Sequence, residues 1–299
     1  MPARKFKAGK AFLSVCLLIL ISALAYGVVE LNRKTPLPPL PSPNGYDDFV
    51  KAGQLLLGDP LYFNRTNVEV LRLELATNAE PIRLIRQGVT KKCRISVPYS
   101  STYINRRMTE LMSGKRLAWL LEADGRLAEL EHRTNDAARI HLETIRYGQE
   151  SCRGGVMIDH LVGIAIETIG ASSLQKLTSG LDAKTCRVVA KQLQEIDDSR
   201  EPSSDVLNNE QAWMRISSDL RQRIQAMIPI ERLNPTRQVK KGFIMKCNQT
   251  ELLLRRLMID LATRAYKLEH GQLPKSLNEL VPDYLDAIPV DQATGRQLQ

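Results

Sequence analysis

The chain is short of the residues from which catalytic and metal sites are usually built. It has four histidines and five cysteines in 299 residues, and no C-x-x-C pair and no histidine at zinc-ligand spacing, so no metal site is assigned. There is no G-x-S-x-G, no H-E-x-x-H, no phosphate-binding G-x-x-x-x-G-K-[ST] and no G-x-G-x-x-G. His132, His141, His160 and His270 lie too far apart in sequence to form a local site. No catalytic residue and no cofactor site are therefore assigned. Aromatic residues are few, while leucine, alanine, arginine and glutamate recur, which favours helices over strands.

A net charge of +9 points at first to nucleic acid. Four of those charges, Arg4, Lys5, Lys7 and Lys10, precede an uncharged run, and Glu30, Arg33 and Lys34 add one more, leaving +4 for residues 35–299. The paired basic residues Lys91-Lys92, Arg106-Arg107, Lys240-Lys241 and Arg255-Arg256 are scattered and lack an aromatic stacking pattern, so they read as solvated helix faces and no nucleic-acid partner is expected.

What the sequence does have is one long apolar stretch, Ala11 to Val29. As a helix it would span about 28 Å, close to the hydrocarbon thickness of a bilayer. Basic residues before it keep that end in the cytoplasm by the positive-inside rule. A cleaved signal peptide is the alternative, with Ala23-Leu24-Ala25 as the cleavage site, but the apolar run continues through Tyr26 to Val29, which favours an uncleaved anchor. Cys16 reads as an apolar filler of the span. Thr35 to Pro43, TPLPPLPSP, holds five prolines and reads as a semi-rigid polyproline spacer. The expected organisation is a cytoplasmic segment 1–10, a transmembrane anchor 11–29, a spacer 30–43 and an exported all-α domain 44–299 of about ten helices packed as hairpins.

Within that domain, Asp47 or Asp48 is expected to cap a first helix ending at Gly58, and Thr66 with Glu69 forms a capping box. Asn64-Arg65-Thr66 and Asn248-Gln249-Thr250 match glycosylation sequons but sit at expected helix starts, where capping is the simpler role. From Ser101 about fifty residues read as helix, with Ile104, Met108, Leu111, Leu117, Leu120 and Leu121 inward and a turn before Asn135-Asp136. Val156 to Gly170 is apolar nearly all round and is expected to be the central buried helix. Its polar members are Asp159, His160 and Glu167. Asp159 and Glu167 share a face, but eight residues is about 12 Å of rise, more than the roughly 5–9.5 Å of paired-carboxylate hydrolysis. Each is expected to be a buried acid held by an arginine, with Arg153 the nearest candidate for Asp159. Asp182 caps the following helix, Asp205 the next, whose stripe is Trp213, Ile216, Leu220, Ile224 and Met227, and Asn248 the last, which ends at Gly271. The segment from Pro229 to Lys246 is expected to be irregular. Cys93, Cys152, Cys186 and Cys247 can pair in three ways or remain buried thiols.

Three resemblances follow from these residues. Ala138, Leu142 and Ile145 match the packing positions in the second helix of a tetratricopeptide repeat, over one degenerate hairpin. Gly271, Pro274, Leu277, Leu280, Pro282, Tyr284, Leu285, Ile288, Pro289, Asp291 and Gly295 resemble the segment after the main helix of type II secretion major pseudopilins, over about 50 residues (247–299). The likeness departs at Gln292, and the N-terminus lacks the pseudopilin peptidase signature. The whole layout, with NGYDDFVKAG, EADGRLAELE and CRGG, resembles uncharacterised membrane-anchored bacterial proteins. That resemblance implies a single-pass protein of the bacterial inner membrane with a periplasmic domain. The function expected is a non-enzymatic interaction or scaffold module with an envelope protein partner. The alternatives are an enzyme with a site at 156–170, built on Asp159, His160 and Glu167, and an accessory of a secretion or pilus-like apparatus.

Overall fold

The computed structural model describes residues 15–22, 25–29, 39–97, 103–217, 235–291 and 294–298. The basic segment 1–10, positions 11–14 and 23–24 of the apolar run, residues 30–38 of the spacer, and Leu220, Ile224 and Met227 lie outside them, as do the side chains of Ile104 and Ile216. Residues 15–22 and 25–29 are helical, with side chains largely exposed. Apart from two strands of two residues each, the described chain is α-helix, short 3-10 turns and connections. It is an all-α fold.

Among the described residues nine helices belong to the domain: α1 (Gly45–Leu55), α2 (Val68–Thr77), α3 (Ala79–Gly88), α4 (Tyr103–Leu130), α5 (Thr134–Cys152), α6 (Met157–Leu177), α7 (Ala183–Asp198), α8 (Ser203–Ser217) and α9 (Pro235–His270). α4 and α5 form the expected antiparallel hairpin. Its turn closes on His132 in the left-handed region (φ 59), with the His132 and Arg133 amides donating to the Glu129 and Ala128 carbonyls.

The α5–α6 pair is the spine of the molecule, and glycine sets its spacing. A Cβ on Gly148 would stand 2.8 Å from the Gly163 carbonyl oxygen, and one on Gly170 2.6 Å from that of His141. The two backbones touch where no side chain intervenes. This also explains why α6 runs on past Gly170: that glycine serves packing, and the helix continues to Leu177 where sequence reading ends it. Gly125 of α4 plays a similar part, because a Cβ there would meet the ring of the fully buried His141.

Two apolar cores flank the spine. One joins α1–α4 to Tyr147 and Ile166. The other joins Ala138, Leu142, Ile145 and Leu174 to α7, α9 and the tail residues Leu280, Tyr284 and Leu285. The tail ends in a short antiparallel pair, β1 (Val290–Asp291) and β2 (Arg296–Gln297).

Several local expectations are corrected. α1 is capped by Asn44, whose carboxamide also bonds Arg94, and not by Asp47 or Asp48. α2 is capped by Asn67, whose oxygen accepts from Glu69 and Val70; Thr66 instead sits in a turn closed by Asn64. Ser203 starts α8 and Asp205 lies in its first turn. α9 begins at Pro235, so Asn248 is inside a helix and caps nothing, and 235–246 is regular. Met108 points outward, 45% exposed, and Trp213 is only half-buried, against Ile95, Val97 and Val156. Asp182 caps α7 as expected, accepting from the Thr185 amide at 2.7 Å. Among the described residues one helical stretch, Met157–Gly180, is long and apolar enough to cross a bilayer. Half of its most apolar window is buried inside the protein, so it is a core helix whose outer edge, at Ile158 and Leu161, meets solvent.

Candidate functional site

The turn Arg153-Gly154-Gly155 reverses the chain between α5 and α6 and leaves the first amides of α6 without helical acceptors. Carboxylates from three elements serve the turn and these amides. Glu201 accepts from Gly154 N at 2.7 Å, Asp159 from Val156 N at 2.8 Å and Glu210 of α8 from Met157 N at 2.9 Å. Negative charge at a helix N-terminus is favourable, which offsets part of the cost of burying these acids. Burial still pushes the Glu210 carboxyl up, against the pull of the Met157 amide.

Asp159 is 1% exposed, and its partner is Arg107 of α4, whose Nε donates to Oδ1. Arg153, the partner expected from sequence, turns the other way to Glu150 and the Ser199 carbonyl. Arg107 also donates to the Tyr46 hydroxyl and to Glu110 Oε2 at 2.7 Å, and its guanidinium lies 5.1 Å from the Tyr46 ring centre. This group lines a cavity of about 420 Å³ shared with Phe49, Tyr147 and Ile166.

Glu167 lines a different space. Arg200, from the α7–α8 connection, holds it through two parallel bonds, Nη2 to Oε2 at 2.7 Å and Nη1 to Oε1 at 3.2 Å. Asp197 stands 3.6 Å from Arg200 Nε and accepts from Arg255 Nε of α9 at 2.6 Å. Arg255 continues to Glu251 and to the Val290 carbonyl. This chain of alternating charges ties α6, α7, α9 and the tail together. Glu167 and its neighbours raise the Arg200 pKa in spite of burial, which works against the charge. Burial pushes the Glu251 carboxyl up.

His160 belongs to a third grouping. Its Nδ1 is 3.5 Å from Cys152 Sγ, the last residue of α5, and its Nε2 is 3.3 Å from Glu201 Oε2. Burial works against a charged imidazole here, but Cys152 and then Glu201 outweigh it and push the pKa up to about 10. Glu201 is held low by His160 and the Gly154 amide, although burial opposes this. Phe243 of α9 meets the His160 ring edge-on at 6.5 Å, and Cys247, one turn further along α9, lines the same small cavity of about 20 Å³ as Cys152, His160 and Glu201. All five cysteines are free thiols.

Asp159, His160 and Glu167 are thus not gathered into one site. Asp159 faces α4 and the large cavity, while His160 and Glu167 face α7–α9 and the small one. The expectation that each acid is held by an arginine holds for both, through Arg107 and Arg200. Sequence reading missed Glu201, Arg200 and the Cys152–His160 contact. The first two act across more than thirty residues and carry no local pattern. The third had a signal: two helices joined by a Gly-Gly turn place the last residue of one beside the first turn of the next. Among the described residues no group of His, Cys, Asp and Glu is arranged to hold a metal ion. No known protein family, no curated protein and no solved structure matches this chain.

Proposed function

We propose that this chain is a membrane-anchored helical module of a bacterial envelope, with its N-terminus in the cytoplasm and residues 44–299 in the periplasm, and that it acts by binding another envelope protein. The observation that carries the binding role is a run of exposed apolar side chains between Leu55 and Leu73. Leu57 is 60% exposed, Tyr62 81% and Leu73 68%, with Leu61 and Val70 also open to solvent. Exposed apolar groups at this density support an interaction edge. The anchor rests on the basic residues before the apolar run at 11–29.

A photo-crosslinking residue at Tyr62 or Leu73, in cells, tests the edge. A discrete adduct at both positions and none at the exposed Lys184 of α7 is the expected result; equal or absent adducts at all three would remove the reading. A reporter fused after Gln299 is expected to be active only outside the cytoplasm, and the protein to stay with membranes through an alkaline wash.

An accessory role in a secretion or pilus-like apparatus is a second reading, favoured by the tail. The segment that resembles pseudopilins is seated on α7 and α9 through Leu280, Tyr284 and Leu285, with Leu273 left 60% exposed. Crosslinking from Leu273 to a pilin-like subunit is the result expected of it.

A further inference from the structure

Cys152, His160 and Glu201 are placed as a nucleophile, a base and the group that holds the base. The thiol and the imidazole are in reach at 3.5 Å, the imidazole and the carboxylate stand at an ion-pair distance of 3.3 Å without a hydrogen bond, and Glu201 is itself fixed by the Gly154 amide at 2.7 Å. The Cys152 thiol also lies 3.2 Å from the Gln149 carbonyl. The cavity they share, about 20 Å³, holds one molecule of about the size of water and excludes a peptide or a sugar. A second thiol, Cys247, opens on that same space.

We propose that Cys152 is a peroxide-reactive cysteine, with His160 as its base, Glu201 holding His160, and Cys247 as the thiol that closes a disulfide on it. The substrate class is a small hydroperoxide, hydrogen peroxide above all, because the cavity admits little else. In the first step Cys152 Sγ attacks one peroxide oxygen and the O–O bond breaks. The proton that His160 holds from the thiol passes to the departing oxygen, giving a sulfenic acid and water; sulfur loses two electrons and the peroxide gains them. In the second step Cys247 Sγ attacks Cys152 Sγ, the S–O bond breaks, and hydroxide leaves with the Cys247 proton as a second water. No further oxidant is consumed. The resulting bridge joins the end of α5, in the spine, to α9, so oxidation would tie the α7–α9 side of the domain to the spine.

The other folded-domain thiols serve as internal controls. Cys93 contacts the carbonyls of Gly88 and Lys91, and Cys186 lies in the apolar core. Burial pushes their pKa values up to about 12 and about 11, and that of Cys247 to about 11 as well, so what sets Cys247 apart is its place on the cavity of Cys152 and His160.

The test uses the full chain in detergent micelles, treated with hydrogen peroxide and mapped by peptide mass spectrometry. The expected product is a Cys152–Cys247 disulfide formed before any change at Cys93 or Cys186. In Cys247→Ser, a dimedone adduct is expected at Cys152. His160→Gln is expected to slow the reaction about 100-fold, the low end of what a positioned base contributes. If His160→Gln lowers the melting temperature, Glu201→Gln gives the kinetic test instead, since its amide oxygen still meets the Gly154 amide. Cys152 reacting no faster than Cys93 and Cys186, or a rate indifferent to both substitutions, would overturn the proposal. A wild-type chain that stops at the sulfenic acid would overturn the role of Cys247.

Discussion

Asp159 and Glu167 are two acids on one helix, both about 1% exposed and both paired with arginine, yet they are buried in different ways. Asp159 sits in the first turn of α6, where its second oxygen caps Val156 and its arginine is shared with Tyr46 and Glu110 beside a roomy cavity. Glu167 sits two turns deeper, where both oxygens go to Arg200 and the charges pass on to Asp197 and Arg255 with almost no free volume. The first acid has alternatives for every partner it would lose. The second has none. Burial and pairing alone do not rank buried ions; redundancy of partners does.

The sharpest way to test that ranking is to remove the arginines. Arg200→Met leaves Glu167 buried without a counter-ion and is expected to cost about 3–5 kcal/mol in urea unfolding. Arg107→Met is expected to cost less, because Asp159 keeps its backbone amide and the helix terminus. Equal losses would show that partner redundancy does not matter here. Next in size is Glu167→Gln, expected to cost about 2–3 kcal/mol because a charged Arg200 loses its bidentate carboxylate and is left with Asp197 at 3.6 Å and the more distant Glu251. Asp159→Asn should cost about 1 kcal/mol, since its carbonyl still caps Val156 and Glu110 still pairs with Arg107. A larger loss at Asp159 than at Glu167 would reverse the comparison.

A further expectation, read as a slope and not as a single loss, is a pH dependence confined to the side of α6 that faces α7–α9. The folded protein holds the His160 proton more tightly than the unfolded chain, whose imidazole titrates near about 6.5. That contribution to stability is complete below about 6.5 and is lost as pH rises through about 10. Urea midpoints should therefore fall from pH 6 to pH 10 in the wild type and fall less in His160→Gln. Parallel slopes would mean that His160 is neutral in the folded state.

Periodicity in the sequence is enough for the all-α class, the α4–α5 hairpin and the centrality of α6, because leucine spacing is local and repeats. It also gives the Asp182 cap and the helix stop at Gly271, where a backbone requirement selects the residue type. Boundaries fail where polar residues compete for one terminus: Asn44 takes the cap from Asp47 and Asp48, and Asn67 takes it from Thr66. Gly170 reads as a stop because sequence does not distinguish a glycine that ends a helix from one that lets another helix approach. The site is less legible than the fold. That Asp159 and Glu167 need arginines follows from burial; which arginines follows only from the packing of α4 and of the α7–α8 connection.

The glycine contact between α5 and α6 has a mechanical consequence. Helices that meet through side chains can slide by exchanging rotamers, which gives the joint slack. Gly148, Gly163 and Gly170 bring backbone against backbone, and a backbone has no rotamers to exchange. The two helices behave as one beam, with α1–α4 hung on one side and α7–α9 with the tail on the other. A displacement at one end is then passed to the other as a tilt of the whole beam, undamped by the joint.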